Sequence, residues 1–263
     1  MRSTWTMLHP SEGQTTPEWW GPGRIRIREH SDALHLESPY RIRAISSAVV
    51  GGGLCDVRHL FNFQVESDYA RVDPADDLAL RLVHRGIDPE DSLALMTAVR
   101  VADASFVSAQ GDGWDILTVV TCGFGNAASV QDVDEVDDVC VKRTIGTINI
   151  ISVVAGALTD GALVNAVITA TEAKASALSE MGILTRAHQH PATGTTSDAI
   201  VIGSNQRADC TPVAYTGLAT SFGRALAKTV YHGVLDSGAK YRARLLAAQT
   251  PAGYVLRHID PMR

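Results

Sequence analysis

Two hairpin patterns constrain the fold of this chain more than any other feature of its sequence. Residues 24–28 alternate arginine with isoleucine, and a second short strand pattern follows at 33–37 after a polar turn. This pairing is typical of a β-hairpin with one solvated face. Residues 104–109 and 115–121 flank a turn that contains Asp112 and Gly113, and Asp-Gly is a strong signal for a tight antiparallel hairpin. The chain is therefore expected to contain antiparallel sheet at two separate places.

Helical patterns lie between and after these hairpins. The other predicted elements are a strand over 40–50, helices over 75–84 and 89–99, a strand over 147–155, a helix over 160–182, a strand over 199–203 and a helix over 211–232. Helices interleaved with hairpins predict an α/β fold of the layered α+β kind, with a mixed, largely antiparallel sheet and packed helices. We expect one domain over 24–263. Residues 1–23, rich in Pro, Gly, Ser, Thr and Trp, are expected to form an irregular N-terminal arm.

Composition and charge exclude several classes of partner and cellular location. A net charge of -6 argues against a nucleic acid or an anionic membrane surface as the main partner. No apolar run reaches the roughly 18 residues of a membrane-spanning helix, and the first residues lack the apolar core of a secretory signal. The four cysteines form no CxxC pair, which is typical of reduced thiols in a cytoplasmic protein; they are Cys55, Cys122, Cys140 and Cys210.

A cluster of hydroxyl side chains precedes the predicted strand at 199–203. Thr193, Thr195, Thr196 and Ser197 surround one glycine and lead to Asp198. Loops at the ends of strands are where rigid scaffolds present reactive groups. Serine, threonine and aspartate also favour turns through local hydrogen bonds, so the pattern alone leaves a catalytic loop and a polar turn equally open.

Polar residues interrupt apolar patterns elsewhere. On the helix over 160–182, Asn165 and Glu172 fall on a narrow polar stripe, and Lys174 lies near the edge of the apolar face. A lysine there either snorkels to solvent or is a buried functional ammonium. Thr147 and Asn149 project from one side of an apolar strand, where an asparagine requires hydrogen-bond partners.

Six motifs in register resemble the adenosylcobinamide amidohydrolase family of corrinoid salvage enzymes, between about residues 40 and 235. They are Ser46–Leu54 (SSAVVGGGL), Leu95–Ala98 (LMTA), Gly123–Ala127 (GFGNA), Gly146–Ile151 (GTINII), Thr171–Lys174 (TEAK) and Ala192–Ala199 (ATGTTSDA). The resemblance implies hydrolysis of the amide that joins aminopropanol to a propionate of adenosylcobinamide, with adenosylcobyric acid and 1-amino-2-propanol as products of vitamin B12 salvage. It implies no specific nucleophile.

Amide hydrolysis needs an attacking oxygen, donors for the oxyanion and an acid for the leaving amine. From the chemistry of the side chains we predict a catalytic set drawn from residues 193–198, called the hydroxyl loop below, and from the predicted helix over 160–182. The set is Glu172, Lys174, Thr193, Thr195 and Asp198. A hydroxyl nucleophile with a carboxylate or lysine base and a carboxylate that activates water both remain open. Gly51, Gly52 and Gly53 are expected either to offer backbone N–H groups or to form a tight turn.

A large, amide-edged corrinoid needs apolar walls and polar donors. The predicted substrate-binding residues are Gly51, Gly52, Gly53, Arg58, Asn62, Asn126, Thr147, Asn149, Asn165 and Thr196. The His188 and His190 pair suggests zinc, but no third ligand has a diagnostic spacing, so we expect neither a catalytic metal nor a cofactor beyond the substrate's own cobalt. The alternatives are a corrinoid-binding protein without turnover and a threonine-nucleophile acyltransferase. A homo-oligomer is compatible with the pattern.

Overall fold

The computed structural model describes residues 4–8, 25–135, 146–185 and 188–248. Its main feature is a nine-stranded mixed sheet. Its strands, with those of a second two-stranded sheet, are β1 (Thr4–Leu8), β2 (Arg26–Glu29), β3 (Ala33–Ser46), β4 (Gly53–Gln64), β5 (Ser92–Thr97), β6 (Ser105–Gly111), β7 (Trp114–Phe124), β8 (Ala127–Ala128), β9 (Gly146–Ala155), β10 (Gly194–Thr195) and β11 (Ala199–Ser204). The α-helices are α1 (Pro74–His84), α2 (Asp160–Glu180) and α3 (Ser221–Ala247).

The strand order in the large sheet is β1-β6-β7-β9-β11-β3-β4-β5, and β2 pairs with the first half of β3. β9 pairs with β11, and β4 with β5, in parallel; the remaining pairs of this sheet are antiparallel. β8 and β10 form the separate two-stranded sheet. This topology confirms the predicted α/β class with a mixed, largely antiparallel sheet.

Two cores lie on opposite faces of the central strands. Ile148 and Ile150 of β9 pack with α2 and α3, whereas Ile151 and Val153 pack with residues of β3, β4 and β5 such as Leu95. The sheet therefore curls until its β4–β5 end covers β7 and β9. α1 covers the outer face of that end through a third apolar cluster. The resulting layers are helices, sheet, sheet and helix, and β9 is buried along its whole length.

One predicted helix is wrong. Residues 89–99 form a short 3₁₀ turn at Pro89–Asp91 followed by β5. Leu93 and Leu95 enter the core between the sheet layers, while Ala94 packs under α1. Because β5 is buried on both faces, its apolar residues are nearly continuous, and such a run does not distinguish a strand from a helix by period.

Other boundaries also differ. The strands predicted over 33–37 and 40–50 merge into the single strand β3, which ends at Ser46 and whose register shifts between Glu37 and Ile42. The last helix begins at Ser221, ten residues later than predicted, because Thr220 is its N-cap and accepts the Gly223 N–H at 2.9 Å.

Part of the predicted N-terminal arm is regular. Residues 4–8 are strand β1, which pairs with β6, and Trp5 stacks on His232 with ring centroids 3.9 Å apart. Residues 9–24 lie outside the described residues. Within the described ranges, none of the helices combines the length and apolarity that crossing a bilayer requires.

The buried imidazole of His35 makes stability depend on pH. His35 stacks on Phe61 at 4.0 Å and shares a 3.1 Å hydrogen bond with His59. Burial, followed by the positive charges around it, lowers the pKa of His35 from 6.5 to about 3. Between these values the unfolded chain binds a proton that the folded chain does not, so the stability contributed above pH 6.5 is lost as the pH falls.

We expect His35 alone to lower the free energy of unfolding by about 1.4 kcal/mol per pH unit below pH 6.5. Urea unfolding at pH 7.5, 6.0 and 5.0 measures this slope. His35→Gln should flatten it, whereas His84→Gln, at an exposed position, should not. Equal slopes in all three proteins would contradict the assignment.

Candidate active site

The hydroxyl loop, residues 193–198, lies where the ends of several central strands meet along one edge of the large sheet. β9 and β11 begin there side by side, with Ala199 opposite Asn149. β7 ends there, because Gly123 pairs with Thr147. The loop itself is fixed by β10, whose Gly194 pairs with Ala128. Sheet pairing thus brings together segments that are far apart in the sequence.

The centre of this edge is a chain of three side chains. Lys174 of α2 forms an ion pair with Asp198 Oδ2, and Thr195 Oγ1 donates to Asp198 Oδ1 at 2.5 Å. Their charged groups are shielded, with side-chain exposures of 9% for Lys174 and 12% for Asp198. Asp198 also accepts the backbone N–H groups of Thr195 and Ile148, both at 3.0 Å. Each carboxylate oxygen therefore has two donors, and its orientation is fixed.

Gly194 allows this close packing. A Cβ atom at this position would lie 2.5 Å from Asp198 Oδ2 and 2.8 Å from Lys174 Nζ. Any side chain would separate the lysine from the aspartate or displace the loop. The glycine is required by the close approach of the ion pair.

A second polar cluster lies at the start of β9. Asn126 Nδ2 donates to Thr196 Oγ1 at 2.7 Å, and the hydroxyls of Thr147 and Ser197 are 2.8 Å apart. Ser197 also donates to the Gly146 carbonyl at 3.1 Å. Among the described contacts of the four loop hydroxyls, only that of Thr195 runs to a carboxylate. This contact separates Thr195 from its neighbours as the hydroxyl with an adjacent base.

Two further predicted residues lie behind this edge, buried between the sheet layers. Asn149 Nδ2 donates to Asn62 Oδ1 at 2.8 Å and to the Met96 carbonyl at 2.9 Å. Asn62 in turn donates to Thr121 Oγ1 at 2.9 Å. These side chains join β4, β5, β7 and β9 across the layers, and Asn149 is two residues along β9 from Thr147 of the second cluster.

The structure does not bring the other predicted residues into these contacts. Glu172 is on the exposed face of α2 and makes no ion pair with a described residue. Asn165 accepts the Thr216 N–H at 2.9 Å, about 13 Å along the helix axis from Lys174. Arg58 is exposed and forms an ion pair with Asp91 at 3.0 Å. Their predicted roles stay predictions.

Thr193 is a neighbour of the site, whereas the glycine turn lies against β5. Thr193 is exposed, and its backbone N–H donates to Ala128 O at 3.0 Å. Gly51 and Gly52 lie in the turn between β3 and β4, Gly53 is the first residue of β4, and Gly51 packs against the start of β5. Sequence reasoning missed Gly194 and Thr121 as residues that form the site. Gly194 lay within a quoted motif, whereas no pattern marked the hydrogen bond of Thr121 across the layers.

The histidine pair has a different partner from the one that zinc would require. His190 Nδ1 lies 2.6 Å from Asp132 Oδ1, and the rings of His188 and His190 are 5.8 Å apart. Partial desolvation raises the pKa of Asp132, but hydrogen bonds from Thr185 and His190 outweigh it, so the pKa of Asp132 is lowered overall. Over the described ranges, no group of three or more His, Cys, Asp or Glu side chains has an arrangement that could hold a metal ion. The contact between Asp132 and His190 joins the segment after β8 to the segment that leads to Thr193.

The cysteines of the described residues are free thiols, and Cys140 lies outside them. Cys122 is closest to the candidate centre. Burial, followed by the negative charge of Asp198, raises the pKa of the Cys122 thiol. Because the thiolate is the nucleophilic form, this buried thiol is not a candidate nucleophile.

Comparisons with known proteins agree with the sequence resemblance. A family model described as adenosylcobinamide amidohydrolase matches residues 22–245. A protein named adenosylcobinamide amidohydrolase from Methanosarcina mazei is 29% identical over 196 residues, 72% of this chain and 86% of the relative. A protein of the same name from Halobacterium salinarum is 29% identical over 215 residues, 79% of this chain and 86% of the relative.

Other likenesses are less specific. An uncharacterized protein of Methanocaldococcus jannaschii is 32% identical over 171 residues, which is 58% of this chain and 64% of that protein's length. Among solved structures, a Burkholderia beta-aminopeptidase has a TM-score of 0.42 at 12% identity, over 87% of this chain and 88% of its own. A Pyrococcus horikoshii protein has a TM-score of 0.41 at 10% identity, over 90% and 84%. TM-scores this low carry no inference about the site.

Proposed function

This chain belongs to the adenosylcobinamide amidohydrolase family, and from that premise we propose that it hydrolyses the amide bond between aminopropanol and the corrin ring of adenosylcobinamide. The products are adenosylcobyric acid and 1-amino-2-propanol, so the reaction returns a scavenged corrinoid to vitamin B12 synthesis. The protein is thus a hydrolase of a linear amide. We place it in the cytoplasm as part of the same proposal.

The contact that carries the proposal is the hydrogen bond from Thr195 to Asp198, with Lys174 on the other carboxylate oxygen. A hydroxyl is a weak nucleophile until an adjacent base takes its proton. We propose that Asp198, which accepts the hydrogen bond of Thr195, takes this proton, and that the buried Lys174 side chain keeps positive charge next to the carboxylate. This chain supplies a nucleophile, a base and an acid, and the proposal therefore includes no catalytic metal.

The first half-reaction forms an ester on the enzyme. Thr195 Oγ bonds to the amide carbonyl carbon as its proton passes to Asp198, and the carbonyl electron pair moves to oxygen. When the oxyanion collapses, the C–N bond breaks and the amine leaves with the proton from Asp198. Aminopropanol is released, and the corrin acyl group remains on Thr195.

Water completes the turnover. A water molecule gives a proton to Asp198 and adds its oxygen to the ester carbonyl carbon. Collapse releases the corrin carboxylic acid and returns the hydrogen to Thr195. The competing route, in which Asp198 activates water for direct attack on the amide, uses the same base without an ester.

Substrate contacts are proposed for the second cluster, because its hydroxyl and amide groups suit a ligand with an amide-bearing edge. Asn126, Thr147 and Thr196 belong to this set, as do the exposed backbone groups near Gly52. Asn62 and Asn149 hold β9 against β4 and β5 next to this cluster. Glu172 and Thr193 were predicted as catalytic residues; because both are exposed and neither takes part in the contacts of Thr195, Asp198 and Lys174, we propose them instead for the rim, where a large corrinoid extends beyond the scissile bond.

Separation of the products by mass tests the proposed function. Purified protein, treated with a chelator, is incubated with adenosylcobinamide, and we expect adenosylcobyric acid together with free 1-amino-2-propanol. A corrinoid that is retained but not cleaved would favour a binding protein without turnover. Product that forms only after zinc is added would contradict the metal-free mechanism and bring His188 and His190 back as ligands.

A further inference from the structure

At the end of β3, the side-chain hydroxyl of Ser47 takes the place of a backbone carbonyl in the pairing with β11. The pairing of β3 with β11 ends at Ser46 opposite Val201. One residue further on, the Ser47 N–H donates to the Ile200 carbonyl at 3.1 Å, and the Ser47 hydroxyl accepts the Ile200 N–H at 3.1 Å. A serine side chain thus does what the next carbonyl of β3 would do in a continuous antiparallel ladder.

This substitution lets the chain leave β11 without losing the last contact. After Ser47 the backbone crosses to β5, where the N–H groups of Val49 and Val50 both donate to the Ala94 carbonyl, at 3.1 and 3.2 Å. Ala94 returns its own N–H to the Val50 carbonyl at 3.0 Å. The segment 47–53 therefore joins β11 to β5, two strands that do not pair with each other.

The glycines of the same segment fit this role. Gly51 has φ +71°, and a Cβ atom there would lie 2.6 Å from the Ser92 carbonyl oxygen. At Gly52 a Cβ atom would lie 2.7 Å from the carbonyl oxygen of Ala48. Only glycine permits a turn this tight against β5. The glycine run is explained by the crossing of the chain.

Asp198 lies between two such supports. On one side β9 donates the Ile148 N–H to its carboxylate. On the other side, Ile200, two residues after Asp198, is held by both groups of Ser47. We infer that Ser47 is a positioning residue of the active site: by fixing Ile200, it sets the place of the Asp198 carboxylate relative to Lys174 and Thr195. The catalytic part of this inference rests on the proposed function.

Because Ser47 is exposed, the effect of its side chain on catalysis can be measured apart from its effect on the stability of the fold. Water can replace the Ser47 hydroxyl when the side chain is removed, and the fold should lose little. Water does not restrain the strand in the same way. Because small displacements of reacting groups cost up to about 100-fold in rate, we expect Ser47→Ala to lower kcat about tenfold, with KM unchanged within about twofold.

Three variants test this inference. Ser47→Thr keeps the hydroxyl, and the exposed position has room for a methyl group, so it should return kcat to within about twofold of wild type. Ser179→Ala, on the exposed face of α2, controls for loss of a serine hydroxyl. Amide hydrogen exchange should accelerate at Ile200 and in residues 195–199 of Ser47→Ala, but in neither of the other variants. The Tm values of the three variants should differ little from that of the wild-type protein.

The outcomes distinguish this inference from the proposed function. If Ser47→Ala has wild-type kcat, or Ser47→Thr is equally impaired, Ser47 does not position the site. Absence of turnover in the wild-type protein would contradict the proposed function, and hydrogen exchange would then decide the structural part. Unchanged exchange at Ile200 in Ser47→Ala would overturn it in either case.

Discussion

Replacing Asp198 with asparagine is expected to lower kcat about 1,000-fold, because a positioned general base contributes about 10²- to 10⁴-fold. Asparagine has one oxygen and one NH₂ group in place of four acceptor sites. It cannot accept from Thr195 Oγ1, Lys174 and two backbone N–H groups at once. It also cannot take the proton of Thr195. Steady-state hydrolysis of adenosylcobinamide measures the loss.

The same variant leaves the Lys174 ammonium buried without its carboxylate, and breaking such a pair costs about 3–5 kcal/mol. The double variant Lys174→Met/Asp198→Asn removes both charges and should recover much of the unfolding free energy without recovering activity. Asp209→Asn, which removes an exposed carboxylate paired with Arg207, is the matched control and should behave as wild type. A folded Asp198→Asn protein with more than a tenth of the wild-type kcat would show that Asp198 is not the base.

Thr195→Val is expected to lower kcat at least about 1,000-fold, as much as loss of its base does, because the two groups act as a unit, while the fold is retained. Valine has the shape of threonine without the hydroxyl, so the Asp198 carboxylate keeps three of its four donors. Thr195→Ser, which keeps the hydroxyl, should retain measurable turnover. Thr171→Val, on the exposed face of α2, is the control because its hydroxyl bonds only to the Val167 carbonyl among the described residues.

Intact-mass analysis after rapid quenching separates the two routes to hydrolysis. A Thr195 nucleophile predicts a transient mass increase equal to the corrin acyl group in the wild type and in Thr195→Ser. If Thr195→Val keeps near-wild-type turnover and no covalent species appears, the nucleophile is water activated by Asp198. That result would contradict the ester mechanism but not the role of the carboxylate.

Elements with strong local signals could be predicted from the sequence. The Asp112–Gly113 turn joins β6 to β7 as expected, with Gly113 at φ +77°. α2 ends before Gly182, whose φ of +64° is the left-handed conformation that terminates helices. β5 could not be predicted, because an apolar run buried on both faces has no period. The curl of the sheet over itself depends on contacts between distant strands, and no local pattern encodes them.

The candidate site was predictable in composition but not in arrangement. The loop over 193–198 and Lys174 were identified because their residue types are chemically informative, and the structure brings them into contact. Glu172 is only two residues from Lys174, yet successive helix positions point in different directions, so one is exposed and the other is buried. The pairing of Thr195 with Asp198, rather than of Ser197 with Asp198, depends on the β10 turn. Residue spacing does not decide it.

Hydrolysis in ¹⁸O-labelled water tests the central claim most directly, with wild-type protein and Asp198→Asn measured side by side. The account predicts that wild-type protein converts adenosylcobinamide to adenosylcobyric acid carrying one ¹⁸O atom, with stoichiometric release of 1-amino-2-propanol, and that Asp198→Asn forms about a thousandth as much. Unchanged adenosylcobinamide with the wild-type protein, or equal product from the two proteins, would contradict amide hydrolysis at the Thr195, Asp198 and Lys174 centre.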